Sequence, residues 1–113
     1  MLFRSALHAR MKKRLRERQW QRAFDIWKHL RQQTLTSPEL FLDAVYCLTK
    51  MQQTREAVQL LDESLRTYKI EGTASFFGRV GDMALEIDNP TAQQVAERAY
   101  KSAIAKLSSR VTQ

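Results

Sequence analysis

The sequence predicts an all-α fold, an α-α solenoid of three helix-turn-helix repeats with six antiparallel helices. Apolar residues recur at helical spacing along most of the chain, and only 3 Gly and 2 Pro stand among its 113 residues. The stretch 20–30 also returns in changed form at 54–64, where Ala23 matches Ala57 at a distance of 34 residues. A 34-residue period with two helices per unit is typical of helical solenoids.

Length and composition predict one soluble domain, residues 1–113. Hydrophobic residues make up 43% and charged residues 27% of the chain, and no apolar run approaches the ~20 residues of a membrane span. The single cysteine, Cys47, excludes an intramolecular disulfide. With only His8 and His29 beside it, the chain offers neither a zinc site nor a Cys–His catalytic pair. We therefore predict no enzyme activity, no cofactor and no membrane partner.

The first predicted helix, residues 2–18, is amphipathic and strongly basic. Phe3, Leu7, Met11 and Leu15 recur every four residues and form one apolar stripe, while Lys, Arg and His cover most of the remaining surface. No acidic residue occurs before position 17, and an Arg-rich, acid-free amphipathic start is typical of a mitochondrial targeting segment. We interpret it as a structural helix that can also serve as an uncleaved targeting signal. The alternative is a basic, solvated helix without a targeting role.

The net charge of +7 is concentrated in the first helix pair. Residues 1–33 hold 10 Lys and Arg against 2 acidic residues, whereas residues 34–113 hold 9 against 10. A local basic patch suggests a polyanionic partner such as RNA, an acidic protein surface or a membrane face, and a solvated basic face without a ligand is the alternative. The residues predicted to bind RNA or another polyanion are Arg4, His8, Arg10, Lys12, Lys13, Arg14, Arg16, Arg18 and Arg22.

The remaining helices follow from apolar periodicity and from capping signals. They are predicted at residues 20–33, 38–51, 54–68, 73–87 and 90–108, before a frayed tail at 109–113. Ser37 before Pro38, and Asn89 before Pro90, combine an N-cap with a proline at the first helical position. Gly72 is predicted to end a helix in the left-handed conformation.

The short loops determine how the helices pair. Connections of about 2–4 residues force neighbouring helices to be antiparallel, which pairs helices 1–2, 3–4 and 5–6. The repeats are then predicted at residues 2–36, 37–70 and 71–108. Because each pair buries its apolar face against its neighbours, we expect the last helix to bury a wide face that includes Ile104 and Leu107.

The second repeat, residues 39–69, resembles a pentatricopeptide repeat. Its core from Ala44 to Leu61 follows that family's helix-turn-helix pattern, with Phe41 at the aromatic position of the first helix and Lys50 before the turn. The first repeat matches mainly in its second helix, the third is degenerate, and the related tetratricopeptide repeat fits less well. The resemblance implies a right-handed superhelix, an organellar location and binding of single-stranded RNA.

The chain departs from that family at the positions with which the family reads bases. By the 34-residue register these positions are His8, Leu42 and Phe76, and two of the three are apolar. A base-by-base code needs hydrogen-bonding side chains to distinguish the bases. We therefore expect contacts with RNA phosphates and no reading of RNA sequence by that code.

Three smaller motifs have structural interpretations that outweigh the functional ones. Trp20 lies beside the basic helix and could stack on a base, but its spacing to the next aromatic residues favours the core. Gly78-Arg-Val-Gly81 matches a clamp loop of KH type only by its letters, since it lies within a predicted helix where small residues allow close packing. Asp82 is expected to form an exposed salt bridge with Arg79.

These observations lead to two main hypotheses of function. The first is a non-enzymatic structural subunit of a mitochondrial ribonucleoprotein in the matrix, with the mitochondrial ribosome as leading candidate. It would contact rRNA phosphates through helix 1 and neighbouring proteins through the repeat faces. The alternative is a protein–protein adaptor of tetratricopeptide type, or an accessory subunit of another mitochondrial assembly such as a respiratory complex. A basic amphipathic helix also suits an anionic lipid surface, which is a third option for helix 1.

Overall fold

The computed structural model describes residues 2–33 and 36–112, with side chains described for residues 5–33 and 36–109. Every element in these ranges is an α-helix and none is a strand, so the all-α prediction is confirmed. The helices are α1 (Leu2–Arg16), α2 (Trp20–Gln33), α3 (Pro38–Lys50), α4 (Thr54–Thr67), α5 (Ala74–Leu85) and α6 (Pro90–Thr112). The chain divides into two units, Met1–Ala57 and Val58–Gln113.

The first unit is built from α1, α2 and α3. α1 packs on α2, and α2 packs on α3. Met11 and Ala23 are fully buried, and Trp27 is only 1% exposed. The Trp27 ring meets the edge of Phe41, with centroids 5.1 Å apart and planes at 79°, a favourable aromatic geometry. The core positions expected from helical periodicity in these three helices are therefore confirmed.

The turns that follow α1 and α3 share one backbone geometry. Arg18 and Gln52, 34 residues apart, are the non-glycine residues with positive φ in the described part of the chain, at 58° and 59°. In each turn this residue donates its N–H to the carbonyl three residues back, and the next residue donates to the carbonyl five residues back, at 2.9–3.1 Å. This is the Schellman arrangement, which satisfies carbonyls at a helix end. The sequence period thus recurs in the backbone of these two turns.

The second unit combines the later turns of α4 with α5 and α6. α5 packs on α6, and at Gly81 a Cβ atom would lie only 2.6 Å from the ring of Tyr100. The Tyr100 hydroxyl donates a hydrogen bond to Asp82 at 2.6 Å, and this bond raises the pKa of Tyr100. The carboxylate of Asp62 on α4 accepts a hydrogen bond from Arg98 on α6. These contacts fix α6 between its two neighbours.

Two predicted helix starts are confirmed by their capping bonds. The Ser37 hydroxyl accepts a hydrogen bond from the Leu40 N–H at 3.2 Å at the start of α3. The Asn89 side-chain oxygen accepts from the N–H groups of Thr91 and Ala92 at 2.8 and 3.1 Å at the start of α6. Each cap satisfies N–H groups that have no partner within the helix.

The predicted end of the last helix and its wide buried face were wrong. α6 continues to Thr112, because no Gly or Pro follows Pro90 to interrupt it. Ile104 is 62% and Leu107 is 52% exposed. The positions that α6 does bury form a narrower face, and Ile104 and Leu107 lie on a flank turned away from it. The buried set is Ala92, Val95, Ala96 and Ala99.

The role predicted for Gly72 was also wrong. No described glycine has positive φ, so Gly72 does not end a helix in the left-handed conformation. A Cβ at this position would instead stand 2.6 Å from both the Phe77 ring and the Tyr68 carbonyl oxygen. Glycine is needed here because the chain passes close to an aromatic ring. α5 then begins at Ala74 with Thr73 as its N-cap, one residue later than predicted.

Candidate polyanion-binding surface

α1 presents its cationic side chains because its apolar stripe is buried. Leu7 is 7% exposed and Met11 is fully buried, so the residues on the other sides of α1 point toward solvent or toward neighbouring helices. Lys13, Arg14 and Arg16 lie in the last turn of α1, where positive charge offsets the partial negative charge of the helix C-terminus. Part of the basic character of α1 therefore has a structural explanation.

Lys12 is committed to an ion pair within the first unit. Its Nζ lies 2.8 Å from Oδ2 of Asp43 and 3.8 Å from Oε1 of Glu39, both on α3. The side chains of Lys12 and Asp43 are 35% and 23% exposed, so water screens this pair less than a fully exposed one. Lys12 thus connects α1 to α3, and we remove it from the candidate binding residues.

Arg14 is also engaged within the chain. One guanidinium nitrogen donates to Glu17 Oε1 at 3.1 Å and to Gln19 Oε1 at 3.0 Å. Both acceptors lie in the turn that joins α1 to α2. This charge-assisted contact supports the Schellman turn around Arg18. Arg14 therefore stabilises the connection and is less available to a ligand than the sequence suggested.

Six of the predicted residues are exposed and form no hydrogen bond or ion pair with any described residue. We call this set the basic surface: His8, Arg10, Lys13, Arg16, Arg18 and Arg22. The first four lie on the solvent side of α1, Arg18 lies in the following turn, and Arg22 lies in the first turns of α2. The side chain of Arg4 lies outside the described residues.

The acidic residues of the first 33 positions do not neutralise the basic surface. Glu17 is paired with Arg14. Asp25 accepts a hydrogen bond from Gln21 at 2.9 Å and lies 3.5 Å from Lys28 Nζ. With both carboxylates engaged elsewhere, the exposed cations create an uncompensated positive potential that attracts anions.

The dimensions of the basic surface suit a short stretch of a nucleic-acid strand. From His8 to Arg16, α1 rises by about 12 Å at 1.5 Å per residue. Phosphates along one strand of a duplex follow each other at about 3.4 Å along the axis, so α1 spans roughly three to four of them. Flexible Arg and Lys side chains can reach phosphates at this spacing without reading the bases.

The aromatic and base-reading candidates do not extend the basic surface. Trp20 is half-buried and packs its ring against the edge of Tyr46, with centroids 5.5 Å apart. The side chains of Leu42 and Phe76, at two of the family's base-reading positions, are 1% and 6% exposed. Only His8 among those three positions faces solvent. Nothing beside the cations is arranged to hydrogen-bond to base edges.

Reactive and metal-binding groups are not assembled in the described part of the chain. Cys47 is fully buried, and this burial, with the nearby charge of Asp43, raises the pKa of its thiol to about 12. The thiol therefore stays protonated at neutral pH and is a poor nucleophile. No group of three or more His, Cys, Asp or Glu residues that could hold a metal ion occurs among the described residues.

The Gly78–Gly81 motif and Asp82 have contacts that differ in part from the predictions. The motif lies within α5 as expected, and Gly81 does allow close packing. At Gly78, however, a Cβ would meet nothing within 4 Å, so that glycine leaves open space. Asp82 accepts from the Tyr100 hydroxyl, where an ion pair with Arg79 was predicted, because packing of α6 on α5 brings the hydroxyl to it.

Sequence reasoning missed the partners that remove Lys12 and Arg14 from the candidate site. Lys12 and Asp43 are 31 positions apart, and no local pattern links them. The only available signal was the pair of acidic residues, Glu39 and Asp43, four apart on the predicted third helix. For Arg14, the signal was the polar content of a short turn.

Comparison with known proteins does not add an assignment to this geometry. Where the structure describes the chain, no helix is long and apolar enough to cross a membrane. No protein-family model matches the chain, and no curated protein or solved structure matches it significantly. The arguments for a function therefore come from the residues themselves.

Proposed function

We propose that the chain is a non-enzymatic structural subunit of a mitochondrial ribonucleoprotein, with the mitochondrial ribosome as the leading candidate. In this proposal the basic surface binds RNA phosphates, while other faces of the helices bind neighbouring proteins. The proposal includes a right-handed array of three pentatricopeptide-like repeats. The matched turns at Arg18 and Gln52, 34 residues apart, support the repeat assignment for the first two repeats.

The observation that carries this proposal is the set of exposed cations without partners on and beside α1. An arginine or lysine that serves only stability normally has a carboxylate or carbonyl within reach, as Lys12 and Arg14 do. Arg10, Lys13 and Arg16 have none among the described residues. Each phosphate that such a cation neutralises releases counterions from the nucleic acid, which makes binding favourable and dependent on salt.

The mode of binding follows from what surrounds those cations. The base-reading positions Leu42 and Phe76 are buried, and no aromatic ring of the described residues lies free beside the basic surface. Binding through phosphates alone is independent of sequence. A subunit of this kind holds RNA in place within an assembly, where many weak contacts add together, and does not select an RNA by its sequence.

The test compares RNA binding by two variants that each lose three positive charges. R10Q/K13Q/R16Q removes partnerless cations of α1, and K69Q/R79Q/K101Q removes three exposed cations from the second unit as the matched control. Binding of a labelled single-stranded RNA of mixed sequence is followed by fluorescence anisotropy over a series of salt concentrations. We expect the α1 variant to bind more weakly, with a log–log salt slope shallower by up to about 2, since each phosphate of a single strand contributes about 0.7.

The control variant should keep the wild-type slope, because its charges lie outside the basic surface. K12Q/R14Q provides a second comparison: we expect lower thermal stability and a smaller change of slope than in R10Q/K13Q/R16Q. If all three variants lose affinity equally, the net charge of the chain and not the basic surface governs RNA binding, and the proposal is wrong.

The alternative function is a protein–protein adaptor in another mitochondrial assembly, such as a respiratory complex. The exposed aliphatic residues of the second unit favour it, since Leu85, Ile104 and Leu107 are each at least 50% exposed. RNase treatment of the native complex separates the two functions. A subunit anchored by RNA is released from its partners by the nuclease, whereas an adaptor stays bound to them.

A further inference from the structure

The second unit carries an apolar face that none of its own helices covers. We call it the outer α5–α6 face, and it consists of Gly78, Leu85, Tyr100, Ile104 and Leu107. The three aliphatic side chains are 50%, 62% and 52% exposed in this order, and Tyr100 is half-buried. Gly78 and Leu85 lie seven residues apart, and therefore on the same side of α5.

The close contact between Gly81 and Tyr100 fixes how the two helices align. Gly81 lies against the Tyr100 ring, and the short connection at residues 86–89 makes α5 and α6 antiparallel. One turn back along α5 is Gly78, and one turn forward along α6 is Ile104, so these two residues flank the same part of the surface. Because a Cβ at Gly78 would meet nothing within 4 Å, a shallow groove lies between the helices there.

The opposite flank of α6 is already occupied by the chain itself. Asp62 of α4 pairs with Arg98, and Lys106 Nζ donates to the Ile70 carbonyl oxygen at 2.7 Å. α4 and the loop that follows it therefore lie along the side of α6 that carries Arg98 and Lys106. The side with Ile104 and Leu107 is the one left open.

The spacing of the exposed residues on α6 is that of a helix–helix seam. Tyr100, Ile104 and Leu107 follow each other at intervals of four and then three residues, the heptad spacing with which one helix packs against another. Val111 continues this spacing in the sequence, and α6 remains helical through that position. A partner that matches this surface is therefore itself a helix with apolar residues at heptad spacing.

The charges along the end of α6 indicate which helix fits. Residues 98–113 contain four Lys and Arg and no Asp or Glu. Antiparallel pairing of α6 with a second copy, centred between Ile104 and Leu107, would bring positions 101 and 110 opposite each other, and both are cationic. Parallel pairing would set each cation beside its own equivalent. Like charges across a helix pair disfavour association, whereas acidic flanks on the other helix favour it.

We propose that the outer α5–α6 face binds an amphipathic helix of a neighbouring protein, with apolar residues at heptad spacing and Asp or Glu beside them. The helix packs its apolar residues on Ile104 and Leu107, enters the groove at Gly78 and places its carboxylates near Lys101. This inference rests on the proposed function only in that the chain works inside a larger assembly. It does not depend on RNA.

The experiment uses the full chain and two labelled synthetic peptides of three heptads. Both carry Leu at the a and d positions, one has Glu at e and g, and the other has Lys there. At nanomolar peptide concentration, anisotropy should show that the acidic peptide binds about tenfold more tightly than the basic one or better, since only the first complements the cations. I104S/L107S should weaken binding of the acidic peptide by about tenfold or more, because two apolar contacts are lost.

Three further proteins make the result specific to this face. G78M adds a side chain in open space and should weaken binding by filling the groove, without loss of folding by circular dichroism. I70S removes an aliphatic side chain that is 86% exposed but lies on the opposite flank, and should bind as the wild type does. R10Q/K13Q/R16Q should also keep the acidic peptide, which shows that the peptide does not bind to the basic surface.

Several outcomes would overturn the proposal. They are equal binding of both peptides, unchanged binding by I104S/L107S, or loss of the acidic peptide in the α1 variant. A dimer seen by sedimentation that dissociates in I104S/L107S would assign the face to a second copy of the chain. RNA binding by I104S/L107S is measured in parallel and should equal that of the wild type, so a failure of RNA binding and a failure of helix binding are distinguished.

Discussion

Two glycines one turn apart in α5 meet opposite surroundings. At Gly81 a Cβ would lie 2.6 Å from the ring of Tyr100, whereas at Gly78 it would meet nothing within 4 Å. Tyr100 cannot easily move aside, because its hydroxyl is bonded to Asp82. The same chemical change at these two positions therefore has opposite effects on stability.

We predict that G81A lowers and G78A raises the free energy of unfolding. G81A forces α6 away from α5, which costs about 1–3 kcal/mol as overpacking. G78A adds no clash and gains about 1 kcal/mol, because alanine is the better helix former. Urea denaturation followed by circular dichroism measures both. A loss of stability in G78A would mean that the space beside Gly78 is occupied.

At the scale of elements, the two Schellman turns place a non-glycine residue in the left-handed conformation. Arg18 and Gln52 have φ of 58° and 59°, where a Cβ costs roughly 1 kcal/mol. Glycine has no such cost and is the most common residue at this position. The chain therefore carries the same strain after α1 and after α3.

We predict that Q52G stabilises the chain by about 0.5–1 kcal/mol, although it replaces a larger residue by glycine. The neighbouring substitution Q53G serves as the control. Gln53 lies outside the positive-φ region, so glycine there only adds freedom to the unfolded chain and should lower stability. Thermal denaturation of the three proteins measures the difference. If Q52G and Q53G shift the midpoint in the same direction, the turn geometry does not hold in solution.

The elements differ in how far the sequence could predict them. The buried faces of α2, α3 and α4 follow from period alone, since Ala23, Ala57 and Leu61 are all fully buried at repeat-matched or helically spaced positions. The role of Gly72 and the partner of Asp82 could not be predicted. Both depend on a side chain brought near by packing, Phe77 in the first case and Tyr100 in the second.

At the scale of the whole molecule, charge is where sequence reasoning was most informative about a candidate site. The concentration of Lys and Arg in residues 1–33 is visible in the sequence, but which of them have partners is not. Lys12 is paired through α3 and Arg14 through the α1–α2 turn. The structure therefore narrows the candidate set, and the narrowing supplies the control variants for the RNA experiment.

The response of the whole chain to acid follows from this charge balance and from one carboxylate. Lowering the pH neutralises the 12 Asp and Glu while the 19 Lys and Arg stay charged, so repulsion within the folded chain increases. Partial burial pushes the pKa of Asp62 upward. Hydrogen bonds from Arg66 and Arg98, together with their positive charges, outweigh this effect, and the pKa lies below its ordinary value of 3.8.

The sign of the effect is then fixed. A carboxylate whose pKa is lower in the folded than in the unfolded chain stabilises the fold above the unfolded value, and this contribution is lost as the pH falls through the folded value. We predict that D62N is less stable than the wild type at neutral pH, by about 1 kcal/mol or less for pairs this exposed. The difference should shrink below pH 3.8, where the wild type loses its own ion pairs. D88N removes the same charge without breaking any ion pair in the described residues, and it should match the wild type at neutral pH. Urea unfolding at a series of pH values measures all three proteins, and a D62N difference that persists unchanged at low pH would show that the ion pairs around Asp62 do not stabilise the fold.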